Sequence, residues 1–87
     1  MKEILMMMLP GCPHCQNAER MLKQLMEKNE AYQKLQIRRE NEAVNKKLAD
    51  SLDYYYVPCF FVDGKKVFEG VPDINGIENV LKEALKA

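Results

Sequence analysis

The sequence shows no excess of charge of either sign, no long apolar run and no second cysteine pair, and each absence excludes a class of function. Thirteen Lys and Arg balance thirteen Asp and Glu. No net attraction therefore draws the chain to nucleic acid or to an anionic lipid surface. The one notable apolar run, Ile4 to Leu9, is far shorter than the ~20 residues of a membrane helix and shorter than the ~7 to 15 residues of a secretory signal core. Neither a membrane partner nor an export signal is expected, which places the protein in the cytoplasm. Only three cysteines and one histidine occur in 87 residues. That is too few, and an odd number, for the disulfide scaffold of a small secreted domain. Phosphate loops and nucleotide fingerprints are missing as well. At 10.1 kDa, residues 1–87 are expected to form a single domain with a thin core.

Periodicity supplies the order of elements. Ile4 to Leu9 fits a strand buried on both faces, ended by Pro10-Gly11. From Pro13 to about Lys28, Cys15, Ala18, Met21, Leu22, Leu25 and Met26 trace one helical stripe. Pro13 suits the first turn, Glu19 and Lys23 make an i, i+4 pair, and Asn29 serves as the stop. Leu35 and Ile37 alternate with polar neighbours, which predicts a strand near Lys34 to Arg39. Ala43, Val44, Leu48 and Leu52 predict a weaker helix from about Asn41 to Leu52. Cys59 to Val62 and Lys66 to Glu69 flank Asp63-Gly64, a hairpin signal with a tight primed turn. Ile74, Ile77, Val80, Leu81, Ala84 and Leu85 define a last helix from about Asp73 to Lys86, with Asn75 and Glu78 as a capping box and Asp73 as a competing start. A strand, helix, strand unit implies a parallel pair with a right-handed crossover, and the hairpin adds two antiparallel strands. The expected architecture is α/β: one mixed four-stranded sheet flanked by three helices.

The chemistry lies in Cys12-Pro13-His14-Cys15, two thiols separated by two residues where a strand runs into a helix. If Cys12 caps the helix, its sulfur meets the open N–H groups of His14 and Cys15 and the positive end of the dipole, so thiolate is favoured. Cys15 belongs to the apolar stripe; it should be buried, hold its proton longer and act second. Pro13 stiffens the turn, and His14 brings the only imidazole near the sulfur, where a protonated ring would lower the Cys12 pKa further. Stabilising the reduced form by ~1.4 kcal/mol raises a two-electron potential by ~30 mV, so a low-pKa Cys12 makes the pair more oxidising.

These features resemble the thioredoxin-fold superfamily, in particular its small glutaredoxin-like and thioredoxin-like members, with the element order β-α-β-α-β-β-α. The likeness is carried by Cys12-Pro13-His14-Cys15 after the first strand, Val57-Pro58 before the hairpin and Asp63-Gly64-Lys65 in the turn, and it spans essentially the whole chain. It implies a thiol-disulfide oxidoreductase with Cys12 and Cys15 as catalytic residues. It also implies a cis Pro58 lying against the dithiol and a Val57 backbone that binds an extended substrate. The implied partners are a disulfide-bearing protein or glutathione, with a thioredoxin-reductase-like protein or glutathione as reductant, no resident cofactor, and a monomeric state. The chain departs from glutaredoxins at Gly70-Val71-Pro72-Asp73, where they carry a Gly-Gly pair, and from typical thioredoxins in having neither a Trp before Cys12 nor an acid within Ile4 to Leu9.

Bland readings stand beside these. A Cys-x-x-Cys pair is also half of a zinc site, so the alternative function is a small metal-binding or assembly protein using Cys12, Cys15 and Cys59, with His14 as a further ligand. Cys59 is on one reading a small buried strand residue and on the other, next to Pro58, a third thiol able to exchange. Tyr54, Tyr55 and Tyr56 read as packing around the proline, with one ring available to line a substrate groove.

Overall fold

The computed structural model describes residues 2–86; Met1 and Ala87, the ends of the expected 1–87 domain, lie outside the described residues. Strand β1 (Ile4–Met8) leads into helix α1 (Pro13–Lys28), a single-turn helix α2 (Glu30–Gln33) and strand β2 (Ile37–Asn41). Helix α3 (Lys46–Ser51), strands β3 (Cys59–Val62) and β4 (Lys65–Glu69) and helix α4 (Ile74–Leu85) follow. The sheet runs β2-β1-β3-β4, with β1 parallel to β2 and antiparallel to β3, and β3 antiparallel to β4. The mixed four-stranded sheet is as the sequence indicates, with four helices among the described residues in place of three.

Because side chains alternate across a strand, the two central strands divide the interior. Ile4 and Met6 of β1 and Phe60 and Val62 of β3 pack with Cys15, Ala18, Leu22 and Leu25 of α1 and with Ile77, Val80, Leu81 and Ala84 of α4. Met7, Cys59 and Phe61 point the other way, against Leu48, Ala49 and Leu52 on and beside α3. Both faces of β1 and β3 are thus covered, which explains why their sequences are apolar throughout.

Capping side chains settle the places where periodicity misleads. The Asn29 side chain accepts a hydrogen bond from Ala31 N (3.0 Å), so the chain starts a new turn instead of extending. That turn buries Tyr32. Leu35 reaches the core from the segment after α2, and β2 begins only at Ile37, three residues later than the Lys34 start the alternation suggests. The second expected helix shortens for a similar reason. Asn41 accepts from Ala43 N (2.8 Å) and Asn45 from Leu48 N (3.2 Å), so residues 42–45 form a turn and α3 starts at Lys46. Val44, counted in the apolar stripe, is 82% exposed.

At α4 the competing start prevails: Asp73 is the cap, accepting from Gly76 N at 2.7 Å. Glu78 instead accepts from the Tyr32 hydroxyl at 2.7 Å, tying α2 to α4. A Cβ at Gly76 would lie 2.5 Å from the Phe68 ring, so any larger residue in this first turn would force that ring of β4 to shift. Both turn residues of the hairpin, Asp63 (φ 52°) and Gly64 (φ 85°), are left-handed, as a primed turn requires. Glu19 pairs with Arg39 of β2 through two bonds of 2.6 and 2.9 Å, pinning α1 to the sheet edge in place of the i, i+4 partner Lys23.

Leu22, at 1% exposure, sits at the centre of the α1–α4 layer. Leu22→Ala is expected to lower unfolding free energy by about 2–5 kcal/mol in urea denaturation. That is a large share of the stability of a domain of this size.

Candidate functional site

Strand β1 ends at Met8, and the next four residues bring the chain to the first turn of α1. Cys12 N donates to Leu9 O (3.1 Å), and Cys12 O accepts from Gln16 N (3.0 Å). The Gln16 side chain reaches back to Pro10 O (3.0 Å), closing the loop over the helix start. Cys12 is the N-cap of α1, in extended conformation (φ −80°, ψ 122°), with Pro13 at the first helical position. No capping hydrogen bond from its side chain satisfies the first-turn amides. They stay open to a charge on sulfur.

The electrostatics of the two sulfurs diverge. Cys12 is partly exposed, and the backbone N–H of Cys15 holds its thiol below the ordinary range; partial burial opposes this, while the backbone N–H of His14 and the Cys15 thiol act in the same direction. Cys15 is buried, at 2% exposure. Burial pushes it up to about 11 against a downward pull from the Leu9 N–H, and donation toward the Cys12 sulfur adds to the rise. Both are free thiols. The helix thus separates one thiol that ionises readily from a neighbour that keeps its proton.

A carboxylate that the sequence analysis did not single out acts on both. Glu42, just past β2, is brought beside the site because its backbone N–H donates to Met8 O (3.1 Å). The Tyr54 hydroxyl donates to Glu42 Oε1 at 2.5 Å, and the negative charge of Glu42 raises both Cys12 and Cys15. Its position follows from β1–β2 pairing, so no local motif points to it.

Val57 and Pro58 come to the same end of the sheet. Their peptide bond is cis, Pro58 is fully buried, and Pro58 O accepts from Gly70 N (3.1 Å). Val57 packs against the layer that holds Cys12 and Cys15 and also touches the opposite one. A mainly apolar groove of about 340 Å³ is lined by His14, Tyr56, Val57, Gly70 and Val71. It joins the first turn of α1, the segment before β3 and the segment after β4. The His14 ring is exposed and lines this groove; toward the Cys12 sulfur the residue contributes its backbone N–H. Gly70 and Val71 are groove residues that sequence reasoning missed.

Cys59 is not brought to the other thiols. Strand alternation turns it to the α3 side with Met7 and Phe61, and it is fully buried there. Burial pushes its thiol up to about 12. Among the described residues, no three His, Cys, Asp or Glu side chains converge to hold a metal ion, so the ligand set of Cys12, Cys15, Cys59 and His14 is not assembled within the chain. No helix among the described residues is long and apolar enough to cross a membrane.

The three thiols should therefore separate by pH in alkylation followed by mass mapping. Cys12 is expected to react at the lowest pH, and Cys15 only as pH rises toward about 11. Cys59 should stay unlabelled until the protein unfolds. Equal labelling of Cys12 and Cys15 near neutral pH would contradict the asymmetry.

Comparison with known proteins fits this geometry. The thioredoxin domain model matches residues 2–82. No curated protein matches the chain in sequence. Among solved structures, a malarial protein superposes with a TM-score of 0.72 at 12% identity, covering 99% of both chains. A mutant thioredoxin from Halobacterium salinarum gives 0.69 at 20% identity over 99% of this chain and 76% of its own. The oxidised thioredoxin from Plasmodium falciparum gives 0.70 at 12% identity over 94% and 79%. With the family model spanning nearly all of the chain and the same fold in these neighbours, the chain belongs to the thioredoxin-domain family.

Proposed function

We propose that the protein is a thiol-disulfide oxidoreductase in which Cys12 is the nucleophile and Cys15 the resolving thiol. The observation that carries this reading is the placement of one ionisable and one proton-retaining thiol at a helix start that shares a groove with Val57 and Gly70.

In the first step the Cys12 thiolate attacks one sulfur of a substrate disulfide. A Cys12–substrate disulfide forms, and the other substrate sulfur departs as a thiolate that takes up a proton. Cys15 then loses its proton and attacks the Cys12 sulfur, releasing the second substrate thiol. The Cys12–Cys15 pair ends oxidised by two electrons and the substrate reduced by two. The exposed position of Cys12 suits the first encounter. The burial of Cys15 keeps it from competing for external disulfides, while its closeness to Cys12 makes the second step intramolecular.

The substrate class this reading favours is a protein or small disulfide, with the flanking chain laid along Tyr56, Val57 and Val71. Tyr56 and Val71 are each 69% exposed, more than apolar side chains need be in a folded domain. Glutathione, or a reductase of the thioredoxin-reductase type, is the electron donor that would return the pair to the dithiol. The proposed setting is the cytoplasm, with the protein monomeric and without a resident cofactor.

Two variants test the mechanism. Cys12→Ser is expected to abolish disulfide reduction, by at least about a thousand-fold, since serine supplies no thiolate. Cys15→Ser should accumulate a mixed disulfide on Cys12, read as a mass increase that dithiothreitol reverses. Turnover retained in Cys12→Ser would overturn the assignment.

A further inference from the structure

The segment Asp53 to Val57, which carries the groove wall, has no regular hydrogen-bonded partner strand, yet it is held from the edge of the sheet. Glu69, at the end of β4, accepts from the backbone N–H groups of both Tyr55 and Tyr56, the latter at 2.8 Å. Its other oxygen accepts from Lys66 Nζ at 2.9 Å, and the same ammonium donates to Asp53 O at 3.2 Å. On the opposite side, Tyr54 is fixed by its bond to Glu42 and by an edge contact with Phe61, ring centroids 6.3 Å apart. Two consecutive backbone amides are thus gathered on one carboxylate, directly before the groove residues Tyr56 and Val57. Tyr55 and Tyr56 spend no side-chain atom on the attachment; the two residues are 83% and 69% exposed.

We infer that Glu69, braced by Lys66, is a positioning residue that sets the Tyr56–Val57 wall for polypeptide disulfides, resting on the oxidoreductase reading above. An extended peptide flanking a disulfide needs the Val57 backbone and the Tyr56 ring in one fixed arrangement along its length. A compact small disulfide needs only access to the Cys12 sulfur. The pair therefore acts on substrate class. Glu69 touches neither thiol and supplies no proton in the exchange. Held by Lys66 first and then by the two amides, its carboxyl lies well below the usual range, at about 2, so the clasp stays charged at any working pH.

The test compares the full chain with Glu69→Gln, Glu69→Ala and Lys66→Met, using oxidised insulin as the polypeptide disulfide and 2-hydroxyethyl disulfide as the small one. Removing charge-assisted hydrogen bonds from two amides is expected to raise KM for insulin about ten-fold in Glu69→Ala with little change in kcat. Turnover of the small disulfide should fall by less than about two-fold, because that substrate does not use the wall. Glu69→Gln, which keeps an acceptor oxygen, should lie between, and Lys66→Met should shift in the same direction more weakly. Hydrogen exchange of the Tyr55 and Tyr56 amides should accelerate in step with KM, while the pH profile of Cys12 alkylation stays as in the parent.

Equal losses on both substrates, or a change in the Cys12 profile, would show that Glu69 only supports the fold and overturn the inference. Unchanged insulin KM alongside faster exchange of the two amides would also overturn it. Should the parent protein turn over neither disulfide, the oxidoreductase reading itself fails, a result distinct from any difference among the variants.

Discussion

The open amides of the first turn of α1 are the interaction on which the site depends. A helix must leave its first N–H groups without backbone partners, and here the capping residue is a cysteine whose neutral side chain does not satisfy them. A negative charge on sulfur is what that position lacks. The same helix, one turn in, carries Cys15 inward on its apolar stripe, where burial makes ionisation costly. One geometric fact, the angle between a cap and the buried face of its own helix, thereby gives two chemically identical side chains different acidities and different access. Pro13 fits because its missing N–H is no loss at the first helical position.

The sheet decides what surrounds those sulfurs. Its two central strands are covered on both faces, so each successive residue must choose a side. Ile4, Met6, Phe60 and Val62 face the layer of α1 and α4; Met7, Cys59 and Phe61 face the layer of α3. Cys59 is adjacent in sequence to a groove-forming segment and yet separated from Cys12 and Cys15 by the thickness of the sheet. Parallel pairing of β2 with β1 brings Glu42 to the end where Cys12 lies, and the β3–β4 hairpin returns Glu69 and Gly70 to the same end. Chemistry-bearing residues from four separated stretches meet there because the strand ends do.

Much of this was legible in the sequence, for reasons that can be named. The stripe from Cys15 to Leu25 and that from Ile77 to Ala84 are long enough to average out single exceptions, and Asp63-Gly64 tolerates the two positive φ angles of its turn. Spacing alone set the partly exposed Cys12 apart from the buried Cys15. Leu35 misled because an alternating pair carries too little information to tell a strand from a buried residue after a helical turn. Val44 misled because the side chains of Asn41 and Asn45 compete with helix backbone, and both signals were present as asparagines. Cys59 had no readable face, since every residue of Cys59–Val62 is apolar and the period-two signal vanishes when both sides are buried. Glu42 and Glu69 were out of reach altogether: each acts through partners twelve or more residues away, Tyr54 for one and the amides of Tyr55 and Tyr56 for the other.

The central claim is that Cys12 and Cys15 form a reversible redox pair from which Cys59 is excluded by the sheet. Equilibration of the metal-free protein in graded glutathione buffers, with acid quench and mass mapping of all three cysteine peptides, tests it most directly. A single two-electron transition confined to Cys12 and Cys15, with a midpoint between about −270 and −120 mV and Cys59 reduced throughout, is the expected result. Failure to form a reversible Cys12–Cys15 disulfide, or coupling of either thiol to Cys59 in the folded protein, would contradict it.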